Sequence, residues 1–190
     1  MGCVDKYARL ALVLVGVGAF HLSLAQEKPP SRVMHRIEAG DRGPDGWFLA
    51  QSTKGKFSLK LPVKFNDFSV GPMTLTTGGV AEAHILGGVD QETGAKFSMT
   101  CMHYIEGVPT LAPAVTRGTP ITHQGCKGYA NSGAGVDKGR KTEGHSRAFL
   151  VRGGTCIAIT EYPVEVREKI APKIPIFFRS IDLASNGCQS

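Results

Sequence analysis

Apolar and polar side chains alternate along much of this chain. From Gly55 to Phe65 the sequence reads GKFSLKLPVKF, with Phe57, Leu59 and Leu61 on one side and Lys56, Ser58 and Lys60 on the other. A period of two with a closing proline predicts a strand with one buried and one solvated face. Trp47 to Ser52 predicts a strand before it, and further β-rich runs follow at Lys64 to Val70 and at Met73 to Leu86, the latter punctuated by Gly78 and Gly79. The longest run is Ala95 to Ile105, whose Phe97, Met99, Cys101, His103 and Ile105 share a face. Gln91 to Gly94 predicts the hairpin loop before it.

After a proline-rich connection, Glu106 to Pro120, with room for one helical turn, the rhythm resumes at Ile121 to Ala130, Lys141 to Arg152 and Thr155 to Tyr162. Gly153-Gly154 between AFLV and CIAIT predicts a hairpin. Asn131 to Gly139, NSGAGVDKG, reads as a mobile connector. Counting outward from the turns sets Cys156 opposite Val151 and Cys126 opposite His145, so a Cys126 to Cys156 bridge would join strands that are not neighbours and is disfavoured. In Pro163 to Leu183 the spacing turns helical: Val164, Val166, Ile170, Ile174, Phe177, Phe178 and Ile181 form an apolar stripe. Pro172 and Pro175 divide it into one broken helix or two short ones, laid over the sheet.

The ends give the compartment. Lys6 and Arg9 precede the apolar run LALVLVGVGAF, and Ser23-Leu24-Ala25 offers a small-x-small cleavage site, so residues 1–25 read as an export signal. The run is short for a membrane span, and after cleavage no stable span is expected; retention of the signal as an anchor is the alternative. Residues 26–46 are polar and rich in Pro and Gly, and predict a flexible lead-in. A single α+β domain is expected over 47–185, with a short tail at 186–190. The expected location is secreted or periplasmic.

Processing would leave 20 basic and 15 acidic side chains once Lys6, Arg9 and Asp5 are removed, a net charge of +5 without a long basic run. That argues against a dedicated nucleic-acid binder. Cys101, Cys126, Cys156 and Cys188 form an even set in an exported chain, which predicts disulfides in one of three connectivities. No Cys-x-x-Cys pair is present, which removes the support for a thioredoxin-like site or a zinc ribbon.

The motif S-x-x-G-x-F-x-L-x-L-P, here Ser52 to Pro62, occurs with Val108-Pro109 after a long strand and a G-x-x-G pair at Gly125 and Gly128. Arg147 and Phe149 stand before a glycine turn at Gly154, and FFRSI closes the set at Phe177 to Ile181. Together these resemble small exported bacterial proteins of the PsbP-like α/β/α sandwich family, across about Trp47 to Leu183. The resemblance implies an α+β fold, an antiparallel β-sheet flanked by helices. It also implies an accessory or binding role with no family-wide catalytic residue. The four cysteines and the proline-broken last helix depart from the pattern.

Cys101 and His103, two apart on one strand, face the same side and suit a soft metal beside Met99, with His84, His123 or Cys126 to complete the set. Their apolar neighbours favour instead a core or disulfide-bonded Cys101 with His103 at the rim of the core. Ser132 and Ser146 lack a nucleophile signature, and Asp137, Glu143 and Glu161 show no paired-carboxylate spacing. Lys138, Arg140 and Lys141 make the most basic loop, where an acidic partner would dock. The expectation is an exported, non-catalytic accessory protein without a cofactor, binding another protein or an envelope component. The alternative is a copper- or zinc-binding protein or metal-dependent enzyme using Cys101 and His103, and a third reading is a hydrolase dependent on His145 or His103.

Overall fold

A computed structural model describes residues 30–75 and 79–188. The expected export signal lies outside them. Eight strands form one antiparallel sheet in the order β1-β4-β5-β6-β10-β9-β8-β7. They are β1 (Arg32–Ala39), β4 (Phe65–Thr74), β5 (Val80–Val89), β6 (Lys96–Glu106), β7 (Thr119–His123), β8 (Cys126–Asp137), β9 (Arg140–Val151) and β10 (Gly154–Pro163). A separate hairpin, β2 (Phe48–Gln51) with β3 (Ser58–Leu61), makes a two-stranded sheet. The amphipathic strand after Gly55 therefore belongs to a covering hairpin rather than to the main sheet.

One face of the main sheet, here the front, is closed by that hairpin and by two short helices, α2 (Arg167–Ile170) and α3 (Lys173–Arg179). Pro172 caps α3 and Pro175 sits in its first turn, where a missing N–H breaks no intrahelical bond. Phe177 meets Phe97 of β6 edge to face, with ring centroids 5.6 Å apart, and Leu59, Leu61, Met99 and Phe149 complete the same buried cluster. On the other face, Phe68, Met73, Leu75, Ala81, Ala83 and Ile85 form a smaller cluster. Neighbours Ile85 and Leu86 fall into different clusters, as strand alternation requires.

The back face carries no helical layer among the described residues. Between β6 and β7 the chain makes only α1 (Pro113–Thr116), a single turn tied to β8 by the Asn131 side-chain amide, which donates to the Val115 carbonyl at 3.0 Å. Strand makes up 57% of the described residues and helix 12%, so the helix-flanked α+β sandwich is overturned: the fold is mainly β, with α2 and α3 on the front face and the single turn α1 beside β8. The connecting segments are too short or too rich in proline for a second layer.

Three local expectations also change. Residues 32–39, inside the expected flexible lead-in, pair with β4 as an edge strand. Asn131 to Asp137 is strand, and the turn falls at Lys138-Gly139, because Gly133 and Gly135 pair with Gly144 and Thr142 of β9. Cys156 faces Phe149, and Gly128 also faces Phe149, so the expected register was displaced by two residues at Cys156 and further at Cys126.

Cys101 and Cys156 are direct partners in the β6–β10 ladder, with Cα atoms 4.0 Å apart, and are joined as a disulfide. A second bond, Cys126–Cys188, pins the tail to the start of β8. Two disulfides are compatible with an oxidising compartment. The 186–190 tail is integrated as far as Cys188: the buried Asn186 donates to the carbonyls of Gly55 and Lys56, at 3.2 and 3.0 Å. No helix among the described residues is long and apolar enough to cross a membrane.

Candidate functional site

At the β1 edge of the front face lies a cleft of about 380 Å³, lined by β1, β4, β5 and the turn after β2. Its centre is built by strand pairing. Ser69 of β4 stands directly opposite His84 of β5, and the Ser69 hydroxyl is 2.8 Å from His84 Nδ1. His35 Nε2 approaches the same hydroxyl from β1, also at 2.8 Å. Adjacent strand residues normally face opposite sides, yet His35 and Arg36 both reach the front. A register shift between Met34 and Arg36 allows it, since a bulge adds an unpaired residue and re-aims its side chain.

Arg36 serves the layer beneath. Its guanidinium donates to Asp67 Oδ2 at 3.0 Å, and Thr53 donates to the same oxygen through its backbone N–H at 2.9 Å and its hydroxyl at 2.5 Å. The Asp67 side chain is fully buried, and its Oδ1 has no partner among the described residues.

The covering turn is shaped by Gly55. A Cβ there would lie 2.4 Å from the Phe57 ring and 2.8 Å from His84 Cβ. The Ser52 hydroxyl accepts from the Gly55 N–H at 2.9 Å, and His103 Nε2 lies 3.3 Å from the Gly55 carbonyl. Gly71, with φ 137°, brings the cleft wall against β5, where a side chain would meet the Ala81 carbonyl at 3.1 Å.

Burial, first, and then nearby His103 and His35 hold the His84 imidazole below its ordinary pKa, while Glu82 and Asp67 pull it upward. The neutral ring is therefore the favoured form. One Ser69 proton serves two imidazoles: the hydroxyl donates to one ring and accepts from the other. Lys54 and Glu82 stand at the exposed rim of the cleft, and neither makes an ion pair among the described residues.

The residues named from sequence are dispersed. Cys101 is spent in its disulfide and has no thiolate for a metal, which removes the Cys101/His103 site. Cys126 is likewise bonded, and His123 sits 2.7 Å from the Ile181 carbonyl, away from His103. No group of three or more His, Cys, Asp or Glu among the described residues is arranged to hold a metal ion. Lys138, Arg140 and Lys141 are exposed at the β8–β9 tip, where Arg140 lies 3.9 Å from Glu165 and neighbouring Asp137 binds Lys96 at 2.9 Å. These acids offset part of the tip's charge.

Ser132 faces His145 across the β8–β9 ladder, but His145 Nε2 is 3.1 Å from the Tyr162 hydroxyl. Tyr162 in turn donates to Glu143, which also accepts from Arg167 of α2 at 2.9 Å. That chain ties helix to sheet. Ser146 pairs with Asn131 on the opposite face.

Sequence reasoning missed His35, Lys54, Ser69 and Glu82 as site residues. The readable signal was the cross-strand placement of Ser69 and His84 about a β4–β5 hairpin, which needs the turn position to be known. The chain matches no protein-family model, no curated protein and no solved structure. The likeness to the PsbP-like family thus rests on the sequence motifs alone.

Proposed function

We propose that this chain is an exported accessory protein, secreted or periplasmic, that binds an envelope component or partner through the β1–β4–β5 cleft. The observation that carries the reading is the Ser69 hydroxyl held between His35 and His84 inside a recess of ligand size. Small-molecule sites of about 300–1,000 Å³ combine apolar walls with a few convergent polar groups, and Val33 and Pro72 supply such walls here. The two disulfides support an oxidising compartment.

Native mass spectrometry of the protein isolated from its own compartment tests this. The wild type should carry an added mass that is missing from Val33→Trp, whose ring would occupy the cleft beside Ser69, at unchanged thermal stability. An added mass retained by Val33→Trp, or none on the wild type, sinks the proposal.

A hydrolase is a second reading with one observation behind it, the 2.8 Å approach of the Ser69 hydroxyl to a His84 ring kept neutral. It ranks lower because no carboxylate among the described residues is hydrogen-bonded to His84 to orient the ring as a base, and His35 shares the same hydroxyl. A fluorophosphonate probe decides it: an adduct on Ser69 that disappears in His84→Gln would establish a nucleophile, and an unlabelled native protein would rule it out.

A further inference from the structure

We infer that the cleft takes a small organic anion, one carboxylate or phosphate group on a short apolar body, held by Lys54, His35, Ser69 and His84 with the body against Val33 and Pro72. This rests on the binding reading above and names its ligand class.

The first argument is the balance of charge around the recess. Lys54 comes from the turn, His35 from β1, His84 from β5, and His103 of β6 stands with its ring centroid 5.1 Å from that of His84. Against these basic groups stand Asp67 and Glu82. Asp67 is committed to Arg36 and Thr53. Glu82 is exposed at the rim. A ligand oxyanion would give Lys54 the ion-pair partner that it lacks among the described residues and a charged acceptor to the neighbouring rings.

The second argument is proton counting. With His84 neutral, the Ser69 hydroxyl and two rings satisfy one another, one proton in each contact. A proton added to the accepting ring makes both rings donors toward Ser69, so the hydroxyl's own proton loses its acceptor and a positive charge stands beside the shared oxygen. An anion in the cleft relieves both problems, so its binding and the uptake of protons favour each other.

The third argument is size. A water occupies about 30 Å³ of liquid, so the recess has room for about twelve, far more than a bare oxyanion needs. Val33, half-exposed at 52%, together with Pro72, offers the remainder an apolar wall.

The experiment follows the His35 and His84 ring resonances of the full processed chain during titration with hexyl phosphate, hexanoate and inorganic phosphate, at about pH 5.5 and about pH 8. Hexyl phosphate and hexanoate should move both rings, and should bind about tenfold more tightly at the lower pH. Inorganic phosphate should bind about tenfold more weakly than hexyl phosphate, lacking the apolar body. Lys54→Met should weaken hexyl phosphate about fivefold and Glu82→Gln should strengthen it about threefold, while Lys138→Met at the distant tip changes nothing.

Vesicles of phosphatidylglycerol distinguish two sources of the same chemistry. Cosedimentation reduced by Lys54→Met assigns the oxyanion to a lipid headgroup. Hexyl phosphate binding without cosedimentation assigns it to a soluble molecule. Absence of ring shifts with both hexyl phosphate and hexanoate at millimolar concentration overturns the inference, as does an unchanged affinity in both Lys54→Met and Glu82→Gln. If a neutral molecule is found bound by native mass spectrometry and lost in Val33→Trp, the anion inference alone falls. If Val33→Trp binds hexyl phosphate like the wild type, the cleft reading falls with it.

Discussion

The middle of the sheet and its β1 edge solve the same geometric problem in opposite ways. In both, two chemically active side chains face each other across an antiparallel ladder on the front face: Cys101 with Cys156 between β6 and β10, and His84 with Ser69 between β5 and β4. The cysteines lie in a cluster with Phe97, Phe149 and Phe177 under the helices, where water is excluded and the pair closes as a covalent cross-link. The Ser69–His84 pair lies beneath the turn around Gly55 at the edge of the cleft, with His84 buried and Ser69 half-buried, and it stays polar and mutually hydrogen-bonded. Cover, rather than strand register, decides whether a facing pair becomes core or site.

The strongest way to test that contrast is to remove the cover. Phe177 is fully buried and meets both Phe97 and Phe178 edge to face. Phe177→Ala should lower unfolding free energy by about 4 kcal/mol, through lost transfer energy plus the cavity left behind. His84→Ala, at the open edge, should cost less than half as much by the same urea-melt measurement. Equal losses would mean that the two regions are not differently buried at all.

A somewhat smaller effect is expected from the tail. Replacing Cys126 and Cys188 by serine opens a link across 62 residues of sequence and should cost about 3 kcal/mol. It also loosens Asn186, whose amide holds the Gly55 and Lys56 carbonyls. Hydrogen exchange should therefore quicken in residues 52–57 as well as in the tail. Faster exchange confined to the tail would show that the turn over the cleft stands without it.

Gly55→Ala acts on the cleft more directly. Its Cβ would lie within 3 Å of both the Phe57 ring and His84 Cβ, so one of them must move. The expected cost is about 1–2 kcal/mol, as for local overpacking, with displaced His84 ring resonances and an unchanged Phe177 environment. Unmoved His84 resonances would remove the turn from the site.

How far these regions were legible in the sequence follows from the same contrast. The covered centre announces itself, because Phe97, Met99 and Cys101 alternate with Ser98 and Thr100, and the proline-broken stripe holding Phe177 reads as two short helices. The halves with small or exposed side chains do not. The second half of β8 carries Ser132, Gly133, Ala134 and Gly135, which offer no apolar period and are extended only because β9 pairs with them. β1 is an edge strand whose Val33, Met34 and Ile37 are all substantially exposed, so its residues show little of the alternation that marks a half-buried strand. The meeting of His35 with Ser69 needs a strand order that skips β2 and β3 and a bulge that turns His35 inward. Neither has a local sequence signature. The expected second helical layer failed for the complementary reason, since the resemblance supplied it and the chain between β6 and β7 folds only one helical turn.

The smallest effect is also the most specific to the edge. Burial, and after it the neighbouring His103, keep His84 below its ordinary pKa in the folded state. An unfolded chain presents the same ring at about 6.5, so on acidification the unfolded state takes up the proton first. Stability is then full above that value, falls as pH drops below it, and levels off once the folded ring titrates as well. His145, also lowered by burial, adds a slope of the same sign from the closed part of the sheet, so the wild-type curve alone cannot apportion the loss. The difference between wild type and His84→Gln can. Urea midpoints at about pH 7.5 and about pH 5 should separate less in His84→Gln than in the wild type. Parallel curves for wild type and His84→Gln would mean that the edge ring is solvated like a free imidazole, and the cleft would lose the feature that sets it apart from the rest of the sheet.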